Sequence, residues 1–157
     1  MVKNRTFTFE DFENYNQLSE DDQALVAKAY EISAKAYAPY SKFKVGATAL
    51  LENGEIVAGS NQENIAYPSG LCAERVALFF AGANFPDQKV VTLCVVAKGD
   101  LLPFDMVLSP CGGCRQVMLE TEMRQQKPMR VIIVSQNKRT IIFSAAKDLL
   151  PFAFGTE

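Results

Sequence analysis

Four cysteines and one glutamate carry the residue types from which chemistry can be built. Cys111-Gly112-Gly113-Cys114 is a C-x-x-C, which serves either as a redox dithiol or as half of a metal site. Cys72 stands alone upstream, and Cys94 sits inside the apolar run Leu93 to Ala97, where a small buried thiol is the ordinary finding. The chain has 0 histidines, which excludes a Ser-His-Asp triad, a Cys-His pair and any histidine metal ligand. Three thiolates, Cys72, Cys111 and Cys114, can fill three corners of a tetrahedral zinc site and leave the fourth to water, the count of a catalytic rather than a closed structural site. Glu74 follows Cys72 by two residues. Alone it reads as a first-turn acid that complements a helix dipole. Beside three cysteines it becomes a proton carrier, because zinc lowers the pKa of water to about 7 and a nearby carboxylate can take that proton and deliver it elsewhere.

These residues must be held by a frame of 157 residues, a length that predicts one domain with a core large enough to need no disulfide. Apolar residues make up 48% and charged residues 22%, as in an average globular protein. Sixteen Lys and Arg against 18 Asp and Glu leave a net charge of −2, so no global field draws the chain to polyanions. Lys42, Lys44, Lys89, Lys138 and Arg139 are scattered rather than striped, so no nucleic acid partner is expected. No apolar run reaches the roughly 20 residues of a membrane span, so no membrane partner is expected. Met1 to Glu10 lacks an apolar segment, so a cytoplasmic protein with reduced thiols is expected.

Residues 1–18 read as an irregular lead-in, and 19–157 as the single domain. Ser19, followed by Glu20-Asp21-Asp22, starts a helix with Leu25, Ala29, Ile32 and Ala36 on one face, stopped by Pro39. Phe43 to Leu51 and Glu55 to Gly59 form a hairpin around Asn53-Gly54. After a polar loop from Asn61 to Gly70, a helix runs from Cys72 to about Ala83, its wide apolar surface covered on more than one side. Lys89 to Ala97 is a buried strand, and a third helix begins near Cys111 and reaches about Arg124. Met129 to Ser135 and Thr140 to Phe143 are strands whose link is too short for a parallel crossover, so they are antiparallel neighbours. Ser144 is expected to cap a short last helix ending at Pro151. The architecture is α/β: a mixed five-stranded sheet with helices on its faces. Both cysteine-bearing helices follow strands, so their N-termini open at one sheet edge, where the thiols can converge.

Asn61-Gln62-Glu63-Asn64, Tyr67-Pro68, Cys72-Ala73-Glu74-Arg75 and Pro110-Cys111-Gly112-Gly113-Cys114-Arg115-Gln116 together resemble the small homotetrameric cytidine deaminases, and Leu149-Leu150-Pro151 with Ala153-Phe154 resembles that family's ending. The resemblance covers about residues 20–155 and implies a three-layer α/β/α cytidine deaminase-like fold. It implies one Zn2+ per chain on Cys72, Cys111 and Cys114. It implies that Glu74 passes protons to N3 of cytosine and to the departing ammonia. It implies ribose contacts from Asn61 and Glu63, packing against the nucleoside by Phe43, and base-edge contacts from the backbones of Ala73 and Ser109. Phe154 would reach a neighbouring subunit's site. Three thiolates leave the first shell of zinc with an excess negative charge, and Arg75 resembles the family residue that offsets it, with Arg115 a second candidate. The implied reaction is hydrolysis of cytidine and deoxycytidine in pyrimidine salvage. Three rivals stand beside it: a deaminase of another cytosine nucleoside, such as an aminoacyl-nucleoside antibiotic; a structural zinc module, which would need a fourth protein ligand; and a thioredoxin-like dithiol at Cys111 and Cys114, which leaves Cys72-Ala73-Glu74 unexplained.

Overall fold

The computed structural model describes residues 1–155; Thr156 and Glu157, the end of the expected domain, lie outside the described residues. The strands are β1 (Glu10–Phe12), β2 (Lys44–Leu51), β3 (Ile56–Ser60), β4 (Val90–Lys98), β5 (Arg130–Val134) and β6 (Thr140–Phe143), and the helices α1 (Glu20–Ser33), α2 (Ala73–Asn84) and α3 (Gly112–Gln125). They build one mixed sheet in the order β1-β6-β5-β4-β2-β3. β4 and β5 are the parallel pair; β5 and β6 are antiparallel, as their short link requires. β2 runs antiparallel to both β3 and β4, so β3 and β4 point the same way and the helices that follow them start at the same edge.

The strand alternation divides the core into two layers. From β4, Cys94 and Val96 meet Leu25, Val26 and Ala29 of α1 on one face. Leu93, Val95 and Ala97 meet Ala77 and Leu78 of α2 and Met118 of α3 on the other. At Gly59 of β3 a Cβ would lie 2.7 Å from Ala77 N and 2.9 Å from Ala73 O, so only glycine lets the first turns of α2 settle this closely on the sheet. Asn53-Gly54 makes the expected hairpin, with Gly54 at φ +88°. Among the described residues no helix is long and apolar enough to cross a membrane.

Three expectations need correction. The sheet has six strands, not five, because part of the lead-in is a strand: β1 pairs antiparallel with β6, Glu10 opposite Ile142. Just ahead of it the Phe7 and Phe9 rings pack against Phe143, and Arg139 grips Asp11 at 2.9 and 2.6 Å. α1 ends at Ser33, well before Pro39. Ser33 Oγ donates to Tyr30 O at 2.8 Å, and the chain turns away so that Tyr37 can exchange backbone hydrogen bonds with Asn61 and Glu63 at 3.1 and 2.9 Å. The final element is a single 3-10 turn, Ala146–Leu149, with no side-chain cap from Ser144. Its N–H groups are met instead by the buried Glu122 of α3, whose carboxylate accepts from Ala146 at 2.6 Å, Lys147 at 3.3 Å and Met129 at 2.9 Å.

Candidate active site

Cys72 is the N-cap of α2 and Cys111 the N-cap of α3, both extended and outside the first helical turn. Cys114 lies within the first turn of α3, fully buried. The common edge brings the three sulfurs together: Cys72 to Cys111 is 3.8 Å, Cys111 to Cys114 is 3.5 Å, and all three lie within 4.8 Å of one another. Zinc–sulfur bonds of about 2.3 Å in a tetrahedron put sulfurs roughly 3.8 Å apart, so the spacing fits zinc. The electrostatics agree. A hydrogen bond from Cys114, followed by the Arg75 guanidinium, pulls the Cys72 thiol toward ionisation against the penalty of burial, and the same hydrogen bond together with burial pushes Cys114 the other way. Sulfurs this close cannot all be thiolates without a cation between them. Among the described residues these three form the metal-capable cluster. Cys94 faces α1 across the sheet, with its thiol pushed up to about 12 by burial.

Glu74 is 4% exposed, and its Oε2 has no hydrogen-bond partner. Burial pushes its carboxyl up to about 7, its own backbone N–H pulls the other way, and the Cys72 charge adds to the rise. A buried carboxylate oxygen left without a partner needs one, and it sits beside a cluster that, among the described residues, consists of the three cysteines alone. Arg75 Nη2 lies 3.6 Å from Cys72 Sγ. A guanidinium at that distance counters the negative charge of the sulfurs.

The cluster opens into a cavity of about 580 Å³. Phe43, Asn61, Glu63, Cys72, Glu74, Arg75, Ser109 and Cys111 line it. Asn61 Oδ1 accepts from Val45 N at 2.8 Å, and its Nδ2 donates to Phe43 O at 2.9 Å, so it also fixes the start of β2. Glu63 Oε2 accepts from Tyr40 N at 2.9 Å and Ser41 N at 3.3 Å, and Oε1 accepts from Ser41 Oγ. The Ser41 hydroxyl does most to hold its carboxyl below the usual range. A carboxylate has about four acceptor sites, so room remains for one more donor.

Three sequence-derived residues lie elsewhere. Ala73 is buried in the first turn of α2, beneath the cavity surface. Phe154 is 91% exposed and away from its own chain's cavity, its carbonyl accepting from Gln116 Nε2 at 2.7 Å. Arg115 donates to Pro110 O and Leu149 O, each at 2.9 Å, and to Ser109 Oγ, not to a sulfur. Its guanidinium donors tie the Pro110 carbonyl and the Ser109 hydroxyl to the C-terminal segment at Leu149 O. Ser41, Leu101, Leu102 and Leu108 also line the cavity and were not singled out. An apolar pair inside a predicted loop, Leu101-Leu102, was the available signal.

The chain matches a family model described as the cytidine and deoxycytidylate deaminase zinc-binding region over residues 19–135. It is 36% identical over 137 residues to the cytidine deaminase of Halalkalibacterium halodurans, covering 87% of this chain and 96% of that one. It is also 36% identical over 140 residues to the cytidine deaminase of Mycobacterium tuberculosis, covering 87% and 92%. The crystal structure of cytidine deaminase from Burkholderia pseudomallei superposes with a TM-score of 0.69 at 36% identity, covering 84% of this chain and 98% of that one.

Proposed function

The chain belongs to the cytidine and deoxycytidylate deaminase family, and from that membership we propose that it hydrolyses cytidine and deoxycytidine to uridine and deoxyuridine with release of ammonia. The observation that carries this reading is the buried Glu74 carboxylate, with Oε2 unpartnered, beside three sulfurs at zinc spacing on the wall of a nucleoside-sized cavity. Zinc on Cys72, Cys111 and Cys114 supplies Lewis acidity that makes water acidic near neutrality. Glu74 accepts one proton from the attacking water and gives it to N3 of cytosine, then takes the second from the new C4 hydroxyl and passes it to the departing amino group. The water oxygen ends on C4 and ammonia leaves, so atoms balance. Arg75 offsets the charge of the sulfurs.

Asn61 and Glu63 hold the 3′-hydroxyl, which supplies the donor for which Glu63 has room. Phe43 packs against the nucleoside, and the backbones of Ala73 and Ser109 meet the base edge. Arg115 holds the Ser109 hydroxyl and the neighbouring Pro110 carbonyl in place. Residues 19–157 act as one catalytic domain in a homotetramer, each Phe154 serving a neighbouring subunit. The exposed Phe154, with Phe79 and Phe80 of α2 at 50% and 52% exposure, supports such an assembly. The enzyme works in the cytoplasm in pyrimidine salvage, on free nucleosides rather than nucleic acid.

Ammonia release from cytosine, cytidine, deoxycytidine, CMP and a single-stranded oligonucleotide tests the substrate. The two nucleosides react. Cytosine gives Asn61 and Glu63 nothing to bind, and a 3′-linked strand brings a phosphate against Glu63 and removes its donor. A mismatch of this kind can reject an analogue by 10⁴ or more. CMP fails because, among the described residues lining the cavity, the one cation is Arg75, and it is held on Cys72 Sγ rather than offered to a phosphate. Comparable turnover of CMP or the oligonucleotide overturns the ribose-end assignment.

A further inference from the structure

The connection from β4 to α3 runs from Gly99 to Cys111 without a helix or strand of its own, a length at which ordered connections usually serve a site. Leu101, Leu102 and Leu108 from it line the cavity together with Phe43 and Val95. Leu108 belongs to the core and Leu102 packs against it, but Leu101 is 60% exposed, so packing within the chain does not hold the outer part of this wall. Hydrogen bonds from the β5–β6 turn do. Gln136 Oε1 accepts from Gly99 N at 2.9 Å, and Gln136 Nε2 donates to Leu102 O at 3.2 Å. Ser135 Oγ accepts from Leu108 N at 3.0 Å. The stretch between the anchors closes on itself through Met106 N to Pro103 O at 3.1 Å. At Gly99, φ is +146° and a Cβ would come within 2.8 Å of Phe43 Cα. The end of the loop that Gln136 holds is therefore pressed against Phe43. Gln136 itself does not line the cavity.

We propose that Gln136 is a positioning residue that, by bridging Gly99 and Leu102, sets where the Leu101-Leu102 wall stands relative to Phe43 and so tunes the fit of the pocket to the nucleoside. The substrate named here rests on the cytidine reading; the anchoring of the loop does not. A wall of this kind grips ground state and transition state alike, so loosening it raises KM and leaves kcat in place. A loss confined to folding lowers the active fraction, and with it apparent kcat, at constant KM. Glutamate at 136 keeps the acceptor for Gly99 but has no donor for Leu102, so it occupies an intermediate position.

Two measurements test this on the full-length, zinc-loaded protein: steady-state kinetics with cytidine, and amide hydrogen exchange over residues 99–108. Gln136→Ala raises KM roughly three- to tenfold, the worth of one or two hydrogen bonds, with kcat within about twofold. Gln136→Glu falls between it and the parent. Combining Gln136→Ala with Leu102→Ala adds less than the product of the single effects, because both act on one wall. Exchange over 99–108 quickens in Gln136→Ala. An unchanged KM, a loss carried by kcat alone, or unchanged exchange overturns the proposal. If the parent releases no ammonia from cytidine, the substrate reading fails, while the exchange comparison, which needs no substrate, still decides the role of Gln136.

Discussion

At the scale of single residues, the site rests on three sulfurs within 4.8 Å of one another and on the buried Glu74 carboxylate beside them. Cys72→Ala, Cys111→Ala and Cys114→Ala should therefore each lose zinc. Cys94→Ala, on the other face of the sheet, should keep one zinc per chain at a stability cost of about 1 kcal/mol from a small cavity. Elemental analysis of the four purified variants reads this directly; full zinc in Cys111→Ala, or none in Cys94→Ala, breaks the assignment. The cysteines and Glu74 were legible in the sequence because two short motifs each opened a helix. Arg115 was not: a guanidinium beside a cysteine looks like a thiolate partner until the folded chain puts Pro110 O and Leu149 O within its reach. Gln136 and Glu122 act on backbone groups distant in sequence, which no local spacing announces.

At the scale of elements, α1 is fastened to the sheet by a charged clamp. Arg130 of β5 donates to both oxygens of Asp22, at 2.7 and 2.9 Å, at the N-terminal turn that Ser19 caps. Burial raises the Asp22 carboxyl, but the Arg130 hydrogen bond and charge, with Ser19, leave it below its ordinary 3.8. A lowered folded-state pKa means stability that is present above the unfolded value and lost as pH falls through the folded one. Asp22→Asn should therefore cost about 1–3 kcal/mol near neutrality, and the gap to the parent should close as pH drops below 3.8. Denaturant melts across that range measure it; a gap independent of pH contradicts the clamp. Apolar runs located the central strands, and the two cysteine motifs marked where α2 and α3 begin. Periodicity missed β1, whose three residues are too few for a pattern and gain their place only by pairing with β6. It carried α1 too far because the stop comes from the Tyr37 bridge to Asn61 and Glu63, a long-range contact that outweighs helix propensity.

At the scale of the whole molecule, the proposed homotetramer and its shared Phe154 are open to direct test. Sedimentation should give about four times the 17.3 kDa chain mass. Mixing inactive Glu74→Gln chains with Phe154→Ala chains should restore activity where an intact Glu74 meets a neighbour's intact Phe154. A fully active monomer, or no gain on mixing and reassembly, contradicts shared sites. The central claim is that Glu74 moves the proton at a zinc site built by three cysteines, and one comparison tests it most directly: ammonia release from cytidine by the parent and by Glu74→Gln at matched zinc content. Glutamine keeps the shape but cannot carry protons. The account predicts one zinc per chain in both proteins and a fall in kcat of at least about 100-fold in the variant, the low end of what general acid–base catalysis contributes. A zinc-loaded Glu74→Gln protein within a few-fold of the parent would contradict it.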